Sequence, residues 1–203
     1  MEYFADAVFA IAFTLSVVEL ELPREGGASL PHDLAGMWHG FLGVAIASSV
    51  IGIHWAHHHF SGAIYRTVGH WFNLATLLFL AAIGFIAFPS RVLADHIDDP
   101  EGFPAAATFF MIGLAVIAAT WSLKWLVGRL MGNVDDRLDP AYVRRLSRTY
   151  FASTVLMIAA AALSVALPVT SLVLGGLILA YFVLPPGTPV YRGAAPAAGG
   201  GED

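Results

Sequence analysis

Apolar positions dominate long runs of this chain, and polar ones cluster between them. Read from the start, the runs cover residues 3–22, 37–60, 68–94, 104–131, 146–166 and 168–185. Each approaches the ~20 residues that a helix needs to cross the ~30 Å hydrocarbon core of a bilayer. A lipid-exposed span must satisfy its own backbone, and no strand-like alternation in segments of about 10 residues appears, so each run predicts a helix. The expected fold is therefore all-α: an integral membrane protein of six transmembrane helices, with one membrane domain over residues 1–186. From residue 187 the chain turns to Pro, Gly and Ala, as in "GTPVYRGAAPAAGGGED", and a disordered tail over 187–203 is expected.

Composition strengthens the membrane reading. The 203 residues are 58% hydrophobic and only 12% charged, more apolar surface than one water-soluble core can hide. Cysteine is absent, which removes disulfides and thiolate metal sites. The N-terminus carries Glu2 and Asp6 and no basic residue before Arg24, unlike a signal peptide, so the first run is expected to stay in the mature protein.

Charge then orients the chain. Arg66, Lys124, Arg129, Arg137, Arg144, Arg145, Arg148 and Arg192, eight of the ten basic residues, fall on one side if the runs alternate in direction. By the positive-inside rule that side is cytoplasmic, with both termini there in a multi-pass protein of the cell membrane. The opposite side collects acids, including "DHIDDPEG" at 95–102. That loop is either simply solvated or a field that gathers cations.

The opening stretch "FADAVFAIAFTL" bears the most chemistry. Between Asp6 and Glu19 lie twelve apolar or weakly polar residues, or about 18 Å of helix, too short to cross a bilayer alone. Ionisable groups near a membrane core normally face a bundle interior or water. Ile11, Leu15 and Val18 stand at i, i+4 and i+7 and share one stripe, with Thr14 beside it. Two readings follow: the stripe lines a pore with a dry waist between wet acidic ends, or it is ordinary helix packing.

The second run ends in "HWAHHHF". His54 and His58 share a face, the spacing by which some membrane metalloenzymes hold iron, but such enzymes use several boxes and this chain has one. Because the first run begins where the second ends, a contact between Asp6 and these histidines is expected. With water present the same pair would carry protons, which keeps a proton-coupled carrier as an alternative. No nucleophile elbow, phosphate loop, zinc-protease or dinucleotide motif occurs, so an enzyme is not expected.

Three stretches together resemble a known family. "FADAVFAIAFTL" is similar to the Arg-x-x-x-Phe-Ser-Asp-Ala signature that opens the first helix in bacterial relatives of the endolysosomal potassium channel, transmembrane protein 175. "IGIHWAHHHF" is similar to the family's Trp-x-x-His-His stretch, and "FNLATLLFLAAIGFIAFPS" to its Asn-Leu, proline-bearing third helix. Ala5 stands where the family has serine, and the family's arginine falls one position before Met1.

The resemblance implies a passive potassium-permeable channel, a homotetramer of six-helix subunits in the lipid bilayer with the first helix lining the pore. By position it implies a constriction at Ile11, Leu15 and Val18, with Thr14 as polar lining. Phe4, Asp6, Trp55, His57, His58 and Asn73 are implied to pack and hydrogen-bond behind the pore. Glu19 and Glu21 would form an outer acidic ring. The permeating potassium ions are the only small species implied: no cofactor, no metal and no nucleic acid. No Thr-Val-Gly-Tyr-Gly filter occurs, so a hydrophobic waist would have to discriminate instead.

Overall fold

A computed structural model describes residues 2–18, 20, 29–185 and 187–192. Eight helices account for most of them: α1 (Glu2–Val18), α2 (Leu30–Gly36), α3 (Trp38–Ser61), α4 (His70–Phe85), α5 (Ala87–Asp95), α6 (Phe103–Leu130), α7 (Pro140–Leu163) and α8 (Pro168–Tyr181). Among the described residues four stretches are long and apolar enough to cross a membrane: Trp38–Ser61, His70–Asp95, Phe103–Leu130 and Pro140–Leu163. The two outermost apolar helices, Tyr3–Val18 and Pro168–Tyr181, are shorter than the runs predict. At 1.5 Å per residue, α8 reaches about 21 Å.

Local chemistry sets the boundaries. The run at 68–94 is interrupted where α4 ends at Phe85 and α5 begins at Ala87. Pro89 explains this, since it cannot donate to the carbonyl four residues back, at Phe85, and its ring crowds that turn. The helical direction survives because Ser90 donates its backbone N–H and its hydroxyl to the Ile86 carbonyl. Helix α7 begins at Pro140 rather than at 146 because Asp139 caps it, accepting from the amides of Ala141 at 2.6 Å and Tyr142 at 3.2 Å. The short α2 was not anticipated and buries none of its residues.

The centre of the bundle is α6, which packs against α4, α5, α7 and α8, while α1 lies against α3 and α4. Phe9 and Ala12 of α1, Val50 and Ile51 of α3, Phe79 and Ile83 of α4, Met111 and Leu114 of α6 and Met157 of α7 form one buried cluster. Small residues allow the close approaches. A Cβ on Gly43 would come 3.3 Å from the Arg91 backbone and 3.4 Å from the Ala94 side chain. Gly43→Leu is therefore expected to push α3 off α5 and cost about 1–3 kcal/mol, read as a lower unfolding midpoint in detergent.

A second cluster closes one end of the bundle. Ile64, Trp125, Leu138, Tyr142, Leu146 and Tyr150 are buried together under the 62–69 and 131–139 connections. These connections are tied by Arg66 and Asp135, whose amides donate to the carbonyls of Asn133 and Ile64. The first residues of the expected tail lie at this end. Residues 187–192 run back along the 137–139 segment: Tyr191 pairs with Leu138, the Asp139 amide donates to Val190 and the Arg192 amide to Arg137. The reason is Tyr191, which packs on the buried cluster, and Tyr142, whose hydroxyl donates to Gly187. Residues 193–203 lie outside the described residues.

At this end Arg137 donates to both carboxylate oxygens of Asp135, at 2.7–3.1 Å, and these hydrogen bonds hold the Asp135 carboxyl down at about 2. A depressed carboxyl contributes fully above its unfolded range, near about 4, and the contribution disappears as pH falls from there through about 2. The Arg137 amide, bonded to Asp135 Oδ1, is expected to lose hydrogen-exchange protection over that window. Arg137→Gln should move the loss toward pH ~4. Protection that persists through the acid range would show that the pair does not hold the turn.

Candidate pore helix and its supporting network

One stripe of α1 is buried: Ala5, Phe9, Ala12 and Ser16, spaced four, three and four apart. The rest of the helix is left uncovered. Ile11 is 57% exposed, Leu15 52% and Val18 73%, so the predicted stripe lies on a face that this chain does not cover. Thr14 is exposed beside them, its hydroxyl donating to the carbonyls of Ala10 and Ile11 at 3.0 Å. Phe4 is exposed as well. Glu19 and Glu21 lie outside the described residues.

The expected contact of Asp6 with the histidines takes a different form. Trp55 Nε1 donates to Asp6 Oδ1 at 3.1 Å, joining the start of α1 to the end of α3, and the Trp55 ring stacks on His59. Asp6 follows Ala5 and so stands off the buried stripe, where the exposed indole meets it. The inward histidine is His58, which sits between Phe9 and Phe79. His57 reaches the Phe182 carbonyl at the end of α8 at 2.7 Å, and His54 bonds its own helix at Val50. The ring nitrogens thus diverge, and among the described residues no three His, Asp or Glu side chains converge on a point. Asn73 lies in the first turn of α4, where its amide donates to Gly69, and its buried side-chain oxygen accepts no hydrogen bond among the described residues.

Sequence reading missed Lys124. Counted only as a positive charge near one membrane face, it is 2% exposed and bonded to His58 and Ser61. The signal was present: "TWSLKWLVG" sets one charge inside an otherwise apolar helix, and intramembrane charges are costly enough to have a purpose.

The end of the bundle holding Lys124, Arg66, Arg129 and Arg137 is also where Asp6 and the short connections gather. The other end is acidic. There His39 at the start of α3 bonds Asp98, and Arg91 pairs with Asp95.

Comparison with known proteins agrees with this architecture. The family model for the endosomal/lysosomal potassium channel TMEM175 matches residues 1–87. A potassium channel of Streptomyces collinus is 30% identical over 154 residues, 75% of this chain and 74% of the other. One of Chamaesiphon minutus is 29% identical over 143 residues, 68% of this chain and 70% of the other. The crystal structure of a lysosomal potassium-selective channel TMEM175 homologue from Chamaesiphon minutus superposes with a TM-score of 0.73 at 25% identity, over 90% of this chain and 94% of that one. The potassium channel MtTMEM175, crystallised as a variant with a nanobody fusion, shares the fold, with a TM-score of 0.58 at 19% identity.

Fold and relatives together define a multi-pass membrane protein of the ion-channel class. The chain belongs to the TMEM175 potassium-channel family.

Proposed function

We propose that residues 1–186 form a channel domain that conducts potassium passively, as a homotetramer of six-helix subunits with α1 of each lining a central pore. The observation that carries this reading is the division of α1 into a buried stripe at Ala5, Phe9 and Ala12 and an uncovered apolar face at Ile11, Leu15 and Val18. In the tetramer the uncovered face meets the pore axis and its own copies. A groove of about 360 Å³ beside α1, lined by Asp6, Phe9, Ala10, Phe13, Ile51, Gly52 and Trp55, offers a seat for the neighbouring copy.

In this reading four Ile11 side chains form the narrowest ring, with Leu15 and Val18 beyond it and Thr14 giving a polar step. Such a waist gates by dewetting and discriminates through the cost of stripping water from the ion. Glu19 and Glu21, repeated fourfold, would favour cations at the outer mouth. The Trp55–Asp6 bond holds the inner end of α1 against α3. The basic end faces the cytoplasm, with both termini, in the cell membrane. Potassium is the permeating ion, and the mechanism needs no cofactor and no nucleic acid.

Flux from proteoliposomes tests it. Potassium is expected to leave without a proton gradient and in the absence of an ionophore. Flux strictly coupled to protons would replace the channel with a carrier built on Asp6 and the histidines.

A further inference from the structure

Lys124 lies where an ammonium needs an anion, and no described carboxylate supplies one. Its Nζ contacts His58 Nδ1 at 3.1 Å and Ser61 Oγ at 3.3 Å, both uncharged acceptors in this pairing. For His58 to accept at Nδ1 its proton must sit on Nε2. Four rings surround the ammonium, with centroids at 4.7 Å for Trp121, 5.4 Å for Tyr65, 5.8 Å for Phe72 and 5.9 Å for Phe79. Cation–π attraction offsets part of the cost of desolvation but does not neutralise the charge. No carboxylate of the described residues pairs with it.

An ammonium has three N–H donors, and two are used. The space left beside Lys124 is a cleft of about 330 Å³, open to the outside past Tyr3 and Val68 and walled by Tyr65 and Phe72. It lies at the basic end of the bundle, beside the 62–69 connection that carries Arg66. A buried cation with a free donor, reached through an apolar mouth, is the complement of a negative group carried on an apolar body.

We infer that this cleft binds a phosphate group, whose oxygen takes the third N–H of Lys124. Two sources present that chemistry there: the phosphodiester of an anionic phospholipid, and free phosphate from the aqueous side. The inference is independent of whether α1 lines a pore.

The test is the unfolding midpoint of the purified, assembled protein in detergent, titrated with dioctanoyl phosphatidylglycerol, dioctanoyl phosphatidylcholine or inorganic phosphate. The wild type is expected to gain about 5 °C or more at a hundredfold excess over Kd. A response to phosphatidylglycerol but not to inorganic phosphate assigns the lipid headgroup; a response to inorganic phosphate assigns the soluble ion. Phosphatidylcholine, whose choline cation neutralises the same phosphodiester, should be weaker. Lys124→Met should abolish the response. Val68→Trp, at the exposed rim, should block it while leaving Lys124 in place, and it decides the matter if Lys124→Met does not assemble. The absence of any shift in the wild type, or an equal shift in the variants that fold, overturns the inference.

Discussion

Ile11→Asn is expected to raise potassium conductance about tenfold, with a loss of preference for potassium over sodium. The physical reason is water. In the proposed tetramer an apolar ring would exclude it from the waist, so an ion would have to shed hydration to pass, whereas an asparagine ring would keep the waist wet. A barrier lowered by about 1.4 kcal/mol corresponds to tenfold in rate. Selectivity falls with the barrier because the cost of dehydration is what separates the smaller, more tightly hydrated sodium from potassium. Ile11 is 57% exposed, so the substitution leaves the buried stripe of α1 untouched and should not unfold the subunit. Single-channel recording in planar bilayers reads both quantities. A variant that conducts and discriminates as the wild type does would remove Ile11 from the pore.

Trp125→Ala should have the largest effect on stability, about 3–5 kcal/mol. Its indole is 1% exposed in the cluster that closes the basic end, edge-on to Tyr150 with centroids 5.4 Å apart. Nε1 donates to Ser147 Oγ at 3.0 Å, joining α6 to α7. Truncation leaves a cavity beneath the 62–69 and 131–139 connections and removes the surface on which Tyr191 and Leu138 rest. Trp125→Phe, which keeps most of the volume and loses one hydrogen bond, should cost nearer 1 kcal/mol. Unfolding in detergent separates the two; equal midpoints for the alanine variant and the wild type would show that the end cluster does not stabilise the bundle.

Much of the helical layout was legible because long apolar runs and prolines carry it. The runs beginning at 104 and 168 match the starts of α6 and α8, each with proline in its first turn, whereas the single run at 68–94 did not separate α4 from α5, although Pro89 stands in it. The start of α7 was hidden: Arg144, Arg145 and Arg148 dilute the hydropathy of its first turns, although the Asp139–Pro140 cap signal was there to be read. The Tyr191 contact was hidden too, since a tail poor in apolar residues gives one aromatic little weight until a pocket is known.

At the site, sequence depth placed Asp6 level with the end of α3 but could not choose a face. Register along α1 and α3 decides for Trp55, and the register of α3 turns His58 inward to Lys124. Ala5 also becomes intelligible. It is 0% exposed, in the buried stripe with Phe9, where a methyl packs and needs no hydrogen-bond partner. The pairing of His58 with Lys124, 66 positions apart, has no trace in local pattern.

In the proposed channel the uncovered face of α1 looks into the ion path. Because the chain has no cysteine, single substitutions provide unambiguous chemical handles. Ile11→Cys, Thr14→Cys, Leu15→Cys and Val18→Cys, recorded before and after a charged methanethiosulfonate reagent, test the claim against Ala12→Cys on the buried stripe and Leu177→Cys on α8. Block that follows the α1 face, strongest at the outer positions Leu15 and Val18, is the result predicted. Potassium current untouched at all four α1 positions, or blocked equally from α8, would contradict it.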